Sequence, residues 1–252
     1  MEEIPVYQES KFKIMTTKRS TKTSWLNADL KKSLLNGLGR IALTAISVFL
    51  GLWGNQWRED HQNLKQEKQS LEQIKVGLSD DIKDLKETKQ LYSVRFENIK
   101  SILLALEPNT APLETLSQKI DSLVGIGFFL PNTAAYETLK SKGMENIKND
   151  SLRTGMSTLY EFGYPGLLTL EKQQTEIHNE LLMPYLFRSV LLTKQQYKPN
   201  EIAKLKNDRE FKQMLRRVSR LDSLVTEEYS KSMKSVLRLS NEIDIELKSG
   251  RF

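Results

Sequence analysis

From Leu43 onward every seventh residue is apolar: Leu43, Leu50, Trp57, Leu64, Leu71, Leu78, Leu85, Tyr92, Ile99 and Leu106. With no proline between Pro5 and Pro108, this repeat predicts one continuous helix from about Asn27 to Leu106. The companion heptad line is mixed, with Ile74, Ile82, Phe96, Ile102 and Leu103 apolar but Asp60, Glu67 and Asp81 polar. That mixture supports an isolated two-stranded coiled coil only weakly and points instead to packing against later helices of the same chain.

Those later helices are legible from caps and breakers. After a break at Pro108 to Pro112, Leu113 to Val124 reads as a short helix and "GIGFFLPNT" (Gly125 to Thr133) as an irregular apolar loop. Asn132 or Thr133 caps "AAYETLKSK", which Gly143 stops, and Asn149 or Asp150 caps "SLRTGMSTLYEF", which Gly163 stops. A further helix runs from Pro165 to about Leu192 with a bend at Pro184. Asp208 then opens a last helix to about Lys248, with Phe211, Leu215, Val218, Leu221, Val225, Tyr229, Met233, Val236, Leu239, Ile243 and Leu247 on one stripe. The expected architecture is all-α. An amino-terminal helix continues into a stalk and packs with a long antiparallel carboxy-terminal helix and shorter middle helices as an elongated bundle.

One part of the first helix is different. Ile41 to Gly54 is a run of fourteen apolar or small residues. The uncharged stretch to Gln56 spans about 24 Å at ~1.5 Å per residue, but Leu34 to Trp57 spans about 36 Å, enough for a hydrocarbon core of ~30 Å. Its strongly polar residues, Asn36, Arg40, Asn55 and Gln56, all lie near its ends. Arg40 can snorkel to one interface, while Trp53, Asn55 and Trp57 mark the other. A soluble alternative needs a large core around a helix that is apolar on every side, and this polar chain has little with which to build one. The division expected is 1–33 as a basic amino-terminal segment, 34–57 as a transmembrane helix and 58–252 as a helical extramembrane domain. Ser47, Gly51 and Gly54 share a face on which two spans could approach closely.

Charge gives the span a direction. Of the net +6, eight basic against four acidic residues precede Ile41 and leave +4 on that side. Close to the span the basic residues tie, with Lys22, Lys31, Lys32 and Arg40 before it and Arg58, Lys65, Lys68 and Lys75 after. The wider amino-terminal flank is the net basic one, which favours a cytoplasmic amino terminus and an outer, periplasmic domain. The basic excess forms no stripe for nucleic acid. With no cysteine, disulfides, thiolate nucleophiles and Cys-ligated metals are excluded.

Two stretches carry a resemblance. "FLGLWGNQWREDHQNLKQEKQSLEQIKVGLSDDIKDL" (Phe49 to Leu85) resembles the juxtamembrane region of a family of uncharacterised single-pass membrane proteins of Gram-negative bacteria, whose span ends in an N-x-W-like signature matched by Asn55 and Trp57. "NTAAYETLKSKGMENIKNDSLRTGMSTLYE" (Asn132 to Glu161) is similar to that family's second recurrent stretch. The resemblance covers most of the chain beyond residue 34 and implies membrane anchoring and a helical exterior domain, with no assigned activity. The longer segment Met1 to Leu26 and the Gly-containing end of the span depart from the pattern.

No chemistry is written in motifs. There is no P-loop, no G-x-S-x-G and no dinucleotide fingerprint. In "EIHNE", Glu176 and Glu180 share a helical face from which His178 is rotated away, the wrong disposition for one metal, so the stretch reads as a solvated face. Asp80, Asp81 and Asp84 make a weak cation cluster. Phe128, Phe129, Tyr136 and Tyr164 form a head-domain core or a partner patch. The reading is therefore a non-enzymatic, single-pass inner-membrane scaffold, accessory or partner-sensing subunit. It has no cofactor, metal, nucleic acid or identified small-molecule substrate; its partners are membrane lipid and another protein or a second copy. The competing expectation is a membrane-anchored periplasmic enzyme using carboxylates of the head region.

Overall fold

The structure, a computed structural model, describes residues 23–107, 119–189 and 204–252, with 23–30 and 34–36 described by backbone alone. Among the described residues there is helix and no strand. The helices are α1 (Thr23–Ala105), α2 (Ala134–Lys142), α3 (Asp150–Ser157), α4 (Tyr164–Ile177), α5 (Met183–Ser189) and α6 (Arg209–Leu247). The chain divides into two compact units, Met1–Asp60 and His61–Phe252.

In the first unit, α1 carries the chain's one described window long and apolar enough to cross a membrane, and none of that window is buried. Leu38, Ile41, Leu43, Ile46, Phe49 and Leu52 are all exposed. The two hydroxyls of the run turn inward on their own helix: Thr44 Oγ1 donates to the Arg40 carbonyl at 3.0 Å and Ser47 Oγ to that of Leu43 at 2.8 Å. Past the run, Asn55, Gln56, Arg58, Glu59 and Asp60 bond one another along the helix surface.

In the second unit, α1 and α6 run antiparallel, their register fixed by Lys75–Asp244, Arg95–Asp222 and Arg251–Glu67 pairs. The third rod is α3 to α5. Asn149 caps it, accepting from the backbone N–H of Ser151 at 3.0 Å and of Leu152 at 3.4 Å. Asp208 caps α6 by accepting from Phe211 N–H at 3.0 Å. Gly143 ends α2 at φ +106°, where a Cβ would also meet the Glu145 carboxylate.

Gly163 is not a stop. The helix passes through it as a π-helical stretch, Thr158–Gly163, into α4, and a second one, His178–Leu182, joins α4 to α5. Each ends two residues before a proline, Pro165 and Pro184. A wide turn there makes room for a ring that would otherwise clash with the preceding turn and lacks an N–H to donate, so the rod continues where a regular helix would break. The short helix expected at Leu113 to Val124 lies partly outside the described residues; 119–121 is helical.

Two apolar clusters fill the bundle. One gathers Leu71, Leu78, Leu85, Tyr92, Leu167, Val225, Tyr229 and Ile243 with the middle segment; the other gathers Ile99, Ile102, Leu182, Tyr185, Phe211, Leu215 and Val218. Along every rod the changeover falls at a buried polar residue: Arg95 on α1, Gln174 on α4 and Asp222 on α6.

Candidate functional site

That changeover is a polar belt through the core. Arg95 donates to Asp222 through Nε at 2.9 Å and through a second guanidinium nitrogen, and through Nη1 to the Gly125 carbonyl at 3.1 Å. Gln174 Nε2 donates to Asp222 Oδ1 at 2.7 Å. His178, 2% exposed, adjoins the Arg95 charge and hydrogen-bonds the Val124 backbone. Burial first, and the Arg95 charge second, push the imidazole down to about 4. Among the described residues, Gln174 Oε1 and His178 Nδ1 have no hydrogen-bond partner. His178 is thus not part of a solvated face: at the start of the π-helical stretch it points inward while Glu176 and Glu180 stay exposed.

A second set of carboxylates, Glu171 and Asp81 buried and Asp84 half-buried, grips the Gly125–Thr133 segment by its backbone. Phe129 N–H donates to Glu171 at 3.1 Å, Leu130 N–H to Asp84 at 3.0 Å and Asn132 N–H to Asp81 at 2.8 Å. Tyr92 donates to the Gly127 carbonyl at 2.8 Å. Further along, Lys148 N–H donates to Glu67 at 2.8 Å, and Arg251 pairs with the same carboxylate. This explains how an irregular segment can lie against the core, since its polar backbone groups find partners on neighbouring helices.

Tyrosines complete the set. Tyr164 donates to Asp81 and Tyr229 to Glu171, while Tyr136 stacks on Tyr160 at 4.4 Å and Phe129 meets Tyr164 edge-on at 5.1 Å. Burial drives the Tyr164 and Tyr229 phenols upward, so both remain donors, and burial also raises Asp81, Glu171 and Asp222. Raised carboxylates are a mark of acid–base chemistry. Here each is already engaged by backbone, tyrosine, arginine or amide donors, and none of the three lines a described cavity. Among the described residues no group of three His, Asp or Glu could hold a metal ion, and Asp81 and Asp84 bind backbone N–H groups instead.

Of the residues singled out in the sequence, Arg40, Trp53, Asn55 and Trp57 are exposed on α1. Ser47 is bonded to its own helix, and the space beside Gly51 and Gly54 is open. Phe129, Tyr136 and Tyr164 are core, whereas Phe128 is 57% exposed. Sequence reasoning missed Arg95, Gln174 and Asp222, and also Thr88, which is buried against Gly127. For Arg95 and Thr88 the available signal was the companion heptad line itself: Glu67, Ile74, Asp81, Thr88, Arg95 and Ile102 recur every seven residues and are all buried.

Residues 40–182 match Family of unknown function (DUF6090). No curated protein and no solved structure matches the chain. The match spans the apolar run, the segment 125–133 and both π-helical stretches, and stops before α6, which supplies Asp222 and Tyr229.

Proposed function

The chain belongs to this family of unknown function, and from that premise we propose that it is a single-pass inner-membrane protein whose helical periplasmic domain acts as a scaffold, accessory or partner-sensing subunit. The observation that carries the reading is the run from Ile41 to Gly54, apolar around its whole circumference and exposed throughout. So much apolar surface is stable only when something other than water covers it. A bilayer suits it because both hydroxyls of the run are bonded to the helix itself and the polar groups gather at its two ends. Arg40 snorkels to one interface, Trp53, Asn55 and Trp57 anchor the other, and the basic amino-terminal flank stays in the cytoplasm. The Ser47, Gly51 and Gly54 face is a contact for a second span.

The non-enzymatic part of the reading follows from the engaged carboxylates. The buried polar groups hold the fold and the 125–133 segment in place, and that segment displays Phe128 and Leu130 outward. A rigid module with an exposed aromatic on a pinned loop is suited to binding another protein.

A reporter active only in the periplasm, fused after Phe252, tests this when combined with cell fractionation. Activity in the membrane fraction is the expected result. Intact, stable protein in the soluble fraction with a silent reporter overturns the reading.

A further inference from the structure

Between α4 and α6 lies an open groove of 870 Å³ whose two walls carry opposite charge. Glu176 and Glu180 stand on one wall and Arg216, Arg217 and Arg220 on the other; Ile177, Leu181 and Leu221 supply its apolar surface. All five charged residues are exposed, and among the described residues no ion pair joins the walls. Beside the groove the antiparallel register is set by the Gln174–Asp222 bond at 2.7 Å. Counting outward from Gln174 and Asp222 puts Glu176 level with Arg220 and Glu180 level with Arg216.

We propose that this groove is the interface for a second copy of the same chain, docked about a twofold axis parallel to the helices. Such an axis keeps each residue at its own height and exchanges the walls. Glu176 of one copy then faces Arg220 of the other, Glu180 faces Arg216 and Arg217, and every pair occurs twice. The other face-to-face twofold, perpendicular to the helices, sets acidic wall on acidic wall and basic on basic, which repels. The favoured axis also brings the His61 ends of both modules to the same side. Two chains anchored in one membrane need that arrangement, so the dimer agrees with the membrane reading, although the charge argument stands without it. Confinement to a membrane would further raise the effective concentration of the partner.

Charge reversal in the full chain tests the proposal. The variant E176R/E180R has two basic walls and the variant R216E/R217E/R220E two acidic ones; all five positions are exposed, and unchanged far-UV circular dichroism verifies folding. Differently tagged copies are co-expressed and captured through one tag. Wild type should capture itself, each variant should lose self-capture at least about tenfold, and the two variants together should capture each other. Recovery in the mixed pair requires the walls to meet across copies. A monomeric wild type, self-capture by the variants at the wild-type level, or no recovery in the mixture overturns the proposal. Because the chain has no cysteine, Glu176→Cys and Arg220→Cys copies offer a second measurement, made before any detergent is added. Oxidative cross-linking should occur in the mixed pair well above either variant alone, and equal cross-linking in all three refutes the geometry. Fractionation reads the membrane question separately: a soluble protein with charge-dependent dimers would keep this proposal and discard the anchor.

Discussion

Removing Arg95 and Asp222 together should harm the fold little more than removing either one alone. Either single replacement, R95M or D222L, strands an opposite charge in a core where the guanidinium is 4% and the carboxylate 0% exposed, and should cost about 3–5 kcal/mol. If the two acted independently, the double variant would cost about 6–10 kcal/mol. With both charges gone, the groups left without partners are the Gln174 amide and the Gly125 carbonyl, at about 1–3 kcal/mol each, or about 2–6 kcal/mol together. The expected coupling is therefore about 4 kcal/mol, with the double variant close to either single one. Urea unfolding of the four proteins, followed by far-UV circular dichroism under identical conditions, measures it. A double variant whose loss equals the sum of the singles to within about 0.5 kcal/mol would refute the belt as a linked unit.

Other perturbations read other parts of the structure. Because His178 titrates near 4 in the fold and near 6.5 in the open chain, the unfolded state takes up its proton first as pH falls, withdrawing up to about 3 kcal/mol of stability between pH 6.5 and 4. The raised carboxylates act in the opposite sense, but they are shared with His178→Gln. Wild type should therefore lose stability relative to that variant as pH falls through this window, and parallel pH curves would count against a buried neutral imidazole. Gly143→Ala forces a side chain into φ +106° beside the Glu145 carboxylate and should lower stability by about 1–3 kcal/mol in the same unfolding assay; an unchanged midpoint contradicts the strained stop. Val48→Arg puts a charge mid-run at about 2.5–3.5 kcal/mol on insertion and should shift protein out of the membrane fraction, whereas unaltered fractionation argues against a lipid-spanning run.

The frame of this fold is readable because it rests on local signals. The heptad line from Leu71 to Leu106, the caps Asn149 and Asp208 and the stop at Gly143 each act within a turn or two of sequence. The belt is not readable in that way. Arg95 and Asp222 are 127 residues apart, and nothing near either one says that a partner waits across the core. In sequence, polar residues at core positions weaken the apolar stripe; in the fold, Asp81 and Glu171 are the partners of the 125–133 backbone. Gly163 misled for a related reason: glycine followed by Tyr164 and Pro165 is a good local stop, and tertiary packing held the rod together through a π-helical turn.

The buried residues Glu67, Asp81 and Arg95 on α1 also bear on how this protein can change length over evolutionary time. Each meets a partner fixed at its own height: Lys148 and Arg251, Asn132 and Tyr164, Gly125 and Asp222. Inserting one residue among them swings everything beyond it by about 100° around the helix axis. Inserting seven restores the face but slides it by about 10.5 Å, half the spacing of these three residues, so each one beyond the insertion leaves its own partner and arrives at an intervening position such as that of Thr88 or Ile102. An ordinary amphipathic stripe would accept the sevenfold insertion, since one leucine serves as well as the next. Here the stretch from Glu67 to Arg95 behaves as a ruler with unequal marks, and descendants of this sequence should vary its residues while conserving its count.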